Sequence, residues 1–202
     1  MSEDTGIKIA PEYRNPVDSF FYIIIKAINP TFWKLGITPN MITTLSLVFS
    51  LAGVWLFYQQ KMLPLAAILF YIGYLFDCQD GYMARKYKMV SKFGDYYDHI
   101  SDALKYIALL VAMFLLRKNN THFLKYFSFI VFLTVLVAID VGCEERIYNK
   151  TEESDTLKLT QKLCYDKKMI RWARFFGPGT LMLILGVIML VYRKWNYTGG
   201  VE

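Results

Sequence analysis

Met41–Tyr58 and Phe175–Tyr192 each run for 18 residues without a charged side chain. As helices they are about long enough to cross the hydrocarbon core of a bilayer, and that constrains the fold more than any other feature. Both lie well inside the chain, and residues 1–15 are polar, so no cleavable signal peptide is expected. Three further apolar blocks, Met62–Phe76, Tyr106–Leu116 and Tyr126–Ile139, are shorter. Each reaches bilayer length only by including charged residues at one end. The expected spans are about 41–59, 62–85, 95–117, 122–145 and 176–194, in an all-α, polytopic membrane helix bundle of five or six transmembrane helices.

The remaining segments fit around that bundle. Residues 1–15 read as a flexible tail. Residues 17–35 mix aromatics with Lys26 and Lys34 and are interrupted at Asn29-Pro30, which predicts a helix lying in the membrane interface. Thr38-Pro39-Asn40 punctuates the start of the first span. Residues 146–174 carry charges of both signs, with an amphipathic helix expected near 157–174. The domain reading is a tail and interfacial helix over 1–37, a transmembrane domain over 38–195 and a short tail over 196–202. Cys78, Cys143 and Cys164 form no spaced framework, so free thiols are expected, with neither a disulfide nor a zinc site. The formal charge of +6 suits contact with anionic lipid. No soluble domain carries it, so no nucleic-acid partner is expected.

Carboxylates beside hydrocarbon are costly and ask for a functional reason. Asp77 and Asp80 close the second span, Asp98 and Asp102 open the third, and Asp140 and Glu144 sit late in the fourth. In an alternating bundle all three ends face one side of the membrane. Loops on that side hold 16 basic residues against six opposite, which makes it cytoplasmic by the positive-inside bias. Lys105 is the one basic residue placed well inside a span, away from its ends.

On a helix, Asp77, Asp80, Gly81, Ala84 and Arg85 share one face, and so do Asp98 and Asp102 on the next. With a short loop between, the two helices are expected to be antiparallel neighbours whose four carboxylates meet. They would repel strongly in a low dielectric. Bound divalent cations are the simplest remedy, and all-oxygen ligation favours Mg²⁺ or Mn²⁺. Gly81 and Ala84 keep the helix face low, and Arg85 can reach a phosphate. Metal, arginine and a carboxylate able to take a proton suit displacement at phosphorus. A divalent-cation transporter is the rival reading. It needs acids near the midplane or along a through-path, whereas these gather at one end.

The segment reads D-x2-D-G-x2-A-R-x8-G-x3-D-x3-D. It resembles the signature of the CDP-alcohol phosphotransferase (CDP-alcohol phosphatidyltransferase) family at Asp77, Asp80, Gly81, Ala84, Arg85, Gly94, Asp98 and Asp102. The Pro39-Asn40 entry resembles that family too. The resemblance implies a two-metal site at Asp77, Asp80, Asp98 and Asp102, with Asp102 also the general base. It implies CDP contacts at Gly81, Ala84 and Arg85, with Gly94 letting the site close. It further implies a homodimer and transfer of a phosphatidyl group from CDP-diacylglycerol to a small hydroxyl acceptor, with CMP released. Inositol-type polyols, serine and glycerol phosphate remain open as acceptors. Asp98-His99 is similar to the pair in amino-alcohol phosphotransferases that use CDP-choline or CDP-ethanolamine. Lys105, Asp140 and Glu144 are candidates for the acceptor pocket.

Overall fold

The computed structural model describes residues 6–117, 119–148 and 158–197, and every regular element among them is helical. Five long helices come first: α1 (Pro16–Lys34), α2 (Pro39–Tyr58), α3 (Leu63–Lys86), α4 (Lys92–Leu116) and α5 (Asn120–Tyr148). The short helices α6 (Lys158–Gln161) and α7 (Ile170–Ala173) lead into the long α8 (Pro178–Tyr197). Among the described residues, four segments are long and apolar enough to cross a membrane: Pro39–Tyr58, Lys92–Leu116, Asn120–Ile147 and Ile170–Tyr192. α3 has the length, at 24 residues, but its C-terminal part carries Asp77, Asp80, Arg85 and Lys86.

The helix starts follow the local chemistry. Pro16, Pro39 and Pro178 open α1, α2 and α8, where a missing N–H costs nothing and the fixed φ suits the first turn. Asn15, Thr38 and Ser91 cap α1, α2 and α4 by accepting from backbone N–H groups in the first turn. α1 is unbroken, contrary to the interruption expected at Asn29-Pro30. Pro30 falls in its last two turns, where little ladder remains to be lost. Asn29 is buried, accepting from Gln79 Nε2 at 3.0 Å and donating to Tyr87 Oη at 3.1 Å.

α2 is the principal partner of α3 and also packs on α4, while direct pairing of α3 with α4 is slight. The expected α3–α4 neighbours are therefore brought together at one end by α2. Small residues make the α2–α3 approach close, as is common where helices associate in lipid. A Cβ on Gly73 would overlap Ser50 Oγ and sit 2.9 Å from the Ser46 carbonyl oxygen. One on Gly53 would sit 2.7 Å from the Ala66 carbonyl oxygen. The apolar core gathers Phe57, Phe70, Leu109, Met113, Leu185 and Met189 from α2, α3, α4 and α8. Tyr192 Oη ties α8 to α4 through the Met113 carbonyl at 2.7 Å.

Three expectations are corrected at the polar end. Residues 6–15 are no loose tail: Gly6, Ile9 and Asn15 are buried, and Asn15 Nδ2 donates to the Arg174 carbonyl at 2.6 Å and to Thr180 Oγ1 at 2.9 Å. The amphipathic helix expected near 157–174 is replaced by α6, 3₁₀ turns at Lys167–Met169 and Arg174–Phe176, and α7; residues 149–157 lie outside the described residues. Cys143 and Cys164 form a disulfide across 21 residues. Burial of Cys143 late in α5 and of Cys164 after α6 brings them together. Only Cys78 is a free thiol.

Closing a loop of that length stabilises by up to about 3 kcal/mol. Cys143→Ser should lower the melting temperature of detergent-purified protein, and reductant should produce the same loss in the wild type but none in the variant. Gly73→Leu drives a side chain into Ser50 and should cost about 1–3 kcal/mol through overpacking. A melting curve unchanged from wild type would contradict the tight α2–α3 seam.

Candidate active site

Carboxylates at the end of α3 and the start of α4 converge because each pair repeats on one helix face and α2 holds both helices. One oxygen each from Asp77, Asp98 and Asp102 lies within 4.8 Å of the others. Asp80 is brought to the same end of the bundle but lies outside that group. It is 5% exposed, and its Oδ2 accepts from Thr43 Oγ1 at 2.5 Å.

Lys105 enters the cluster from α4, one turn beyond Asp102. Its side chain is buried, with Nζ 2.6 Å from Asp77 Oδ1 and 2.6 Å from Asp102 Oδ1. It also donates to Ser46 Oγ at 3.0 Å. The ammonium stands with the carboxylate group. The motif does not point to Thr43 and Ser46. Their signal in the sequence is a polar face at i, i+3 and i+7 with Ser50, running through an otherwise apolar span.

The donor set fits a hard divalent cation. It is all oxygen, it carries several negative charges, and Asp98 Oδ1 is buried without a hydrogen-bond partner among the described residues. Such an oxygen is costly to leave unsatisfied.

Beside the carboxylates, Arg85 lies along Gly81. A Cβ there would sit 3.0 Å from Arg85 Nη1, so the glycine leaves the guanidinium room. Arg85 Nε donates to the Gly6 carbonyl at 3.0 Å, which draws the N-terminal segment over this part of the site. Ala84 is half-buried on the same helix. Gly94 donates its N–H to the cap Ser91 at 3.0 Å, and a Cβ on it would lie 3.2 Å from Asn40 Oδ1. The Pro39-Asn40 entry is in this way built into the α4 start. His99 turns back on its own helix, with Nδ1 2.7 Å from the Asp95 carbonyl oxygen.

A second charged group stands behind the first. Asp140 is 0% exposed, and neither of its oxygens has a hydrogen-bond partner among the described residues. It lies against Gly177 at the start of α8. Glu144 is half-buried one turn on, and the buried Glu145 is paired with Lys8. Burial lowers the Lys8 ammonium to about 8, with Glu144 acting the other way. Asp18, at the start of α1, accepts from Tyr74 Oη at 2.6 Å. Burial pushes its carboxyl up to about 6 against that hydrogen bond. The structure thus brings the motif residues to one end, while Asp140 and Glu144 join Lys8 in a neighbouring group.

Residues 36–193 match the sequence model of a family described as CDP-alcohol phosphatidyltransferase. An archaetidylinositol phosphate synthase of Pyrococcus horikoshii is 34% identical over 103 residues, covering 51% of this chain and 50% of that protein. A CDP-diacylglycerol–glycerol-3-phosphate 3-phosphatidyltransferase of Rickettsia typhi is 37% identical over 84 residues, covering 41% of this chain and 46% of that protein. The enzyme of that name from Mycoplasma genitalium is 27% identical over 165 residues, covering 81% of this chain and 56% of that protein. The chain spans about half the length of the curated relatives it matches. With the family match running over most of the chain and through every residue of the aspartate motif, this protein belongs to the CDP-alcohol phosphatidyltransferase family.

Proposed function

We propose that the chain is a phospholipid-synthesising transferase. It moves a phosphatidyl group from CDP-diacylglycerol to the hydroxyl of a small acceptor and releases CMP. The observation that carries this is the convergence of Asp77, Asp98 and Asp102, with Arg85 laid along Gly81 at the same end of the bundle. The names of the relatives support CDP-diacylglycerol as donor and a polyol or glycerol phosphate as acceptor.

Asp77, Asp98 and Asp102 would hold Mg²⁺ or Mn²⁺, which supplies positive charge to the diphosphate of the donor. A second ion, implied by the family resemblance, would need Asp80 turned from Thr43. Arg85 grips the diphosphate through its planar fork, and Gly81 and Ala84 let the nucleotide approach the α3 backbone. Gly94 keeps the start of α4 close to Asn40. Asp102 takes the acceptor proton as the acceptor oxygen bonds to the β-phosphorus. The bond from that phosphorus to the bridging oxygen breaks, and its electron pair leaves with CMP. Asp140 and Glu144 remain the residues proposed for the acceptor, in the neighbouring group behind the reacting end.

The basic bias of the loops supports a cytoplasmic site. The Cys143–Cys164 disulfide speaks the other way, since cytosolic thiols are mostly kept reduced. His99, turned onto Asp95, gives the amino-alcohol reading no support. The transporter reading suffers from Lys105, which closes the acidic group against a through-path.

Purified protein in detergent, given CDP-diacylglycerol, Mg²⁺ or Mn²⁺ and one acceptor at a time, should release CMP with one acceptor. Asp102→Asn should lower kcat by about 10²-fold or more. Wild-type turnover in that variant would remove the general base and with it the mechanism. Arg85→Ala should raise KM for the donor by about tenfold, the size of one charge-assisted contact. An unchanged KM would take Arg85 out of the donor site.

A further inference from the structure

We infer that the Lys105 ammonium stands where a second cation would otherwise sit, so that the chain without substrate binds one divalent ion, centred on Asp98. This rests on the metal-dependent reading above and concerns how many ions the site takes.

The geometry is that of an internal cation. Lys105 is 2% exposed, and its Nζ touches Asp77 Oδ1, Asp102 Oδ1 and Ser46 Oγ at 2.6, 2.6 and 3.0 Å. The contacts to Asp77 and Ser46 are hydrogen bonds, and the one to Asp102 is a close ion pair. A group held at hydrogen-bond distance from two carboxylates occupies the bridge between them. A metal ion on that same oxygen pair would have to displace it or face a like charge a few ångströms away in a water-poor setting.

What remains is one seat. Asp77 and Asp102 each spend one oxygen on Lys105 and keep another. Asp98 Oδ1 is buried with no hydrogen-bond partner among the described residues. Asp80, which a second ion would require, is outside the three-carboxylate group and gives Oδ2 to Thr43. The charges agree with the geometry. Three carboxylates against one ammonium leave two negative charges, which a single divalent ion neutralises. A second such ion would leave the group positive until a diphosphate arrived.

Two other roles for Lys105 fit less well. An acceptor-binding lysine would keep a donor for its ligand. A snorkelling lysine would carry its ammonium out to the interface, whereas this one is buried against α2.

The test is the stoichiometry of Mn²⁺ on the full chain in detergent without nucleotide, by equilibrium dialysis and by electron paramagnetic resonance of the bound ion. Wild type should bind one Mn²⁺ per chain and show the spectrum of an isolated ion. Lys105→Met should bind a second and show the broadened spectrum of a coupled pair, while Lys105→Arg should stay at one. A coupled pair in the wild type would overturn the inference and leave the metal-dependent reading standing, and so would a Lys105→Met protein that folds yet stops at one. If Lys105→Met does not fold, the wild-type count decides the matter. No Mn²⁺ bound to the wild type would overturn the metal-dependent reading itself.

Discussion

Most of the polar architecture follows from one electrostatic demand. Several carboxylates are drawn to the end of a bundle whose helices are otherwise built to meet lipid, and each must be offset where it lies. Lys105 answers for Asp77 and Asp102, and the Thr43 hydroxyl answers for Asp80. Those partners act only while α2 stays close to α3 and α4. The small residues that let α2 and α3 approach are therefore part of the site, although Gly53 and Gly73 carry no chemistry. Asp98 keeps a buried oxygen unpaired, and that is the point where the demand is left for a ligand to meet.

A second polar layer meets the demand only in part, since Asp140 keeps both oxygens without a hydrogen-bond partner among the described residues. Asp18, Asp140, Glu144 and Glu145 surround the first turns of α1 and α8 and the last turns of α5. The N-terminal segment threads through them and supplies Lys8 to Glu145 and the Gly6 carbonyl to Arg85. Arg174 Nη1 returns from the α8 side to the Glu12 carbonyl at 2.5 Å. Residues 6–15 are in this way held by polar contacts at several points along their length. A segment bound so cannot be cut away without exposing charges on three other helices.

The long apolar runs and the aspartate spacing were legible because each reflects a local rule. Hydrocarbon thickness sets run length, and the helical repeat puts Asp77 with Asp80 and Asp98 with Asp102. Thr38-Pro39-Asn40 marked the start of α2 for the same reason. What was not legible depends on partners distant in sequence. Nothing local to residues 6–15 says that they will be buried, because the groups that hold them come from Arg85, Glu145 and Arg174. The contact of Lys105 with Asp77 crosses from α4 to α3, and the hydrogen bonds of Asn29 with Gln79 and Tyr87 join α1 to α3 across 50 or more residues. Asn29-Pro30 looked like a break because proline is read locally. The burial of Asn29 against α3 outweighs it.

The stretch between α5 and α8 shows why a polar segment at a bundle's end needs a tether. Among its described residues, short helices and 3₁₀ turns form in place of one amphipathic helix. Arg146 Nη1 donates to the carbonyls of Cys164 and Tyr165, with the latter at 3.1 Å. Ile170 and the Cys143–Cys164 pair are buried together. Residues 164 and 165 are thus pinned at the helix that bears Asp140, Glu144 and Glu145. In an oxidising compartment the pin is covalent. In a reducing one the same two sulfurs remain a buried apolar contact beside the Arg146 hydrogen bonds. The compartment therefore governs how firmly Cys164 is held to α5.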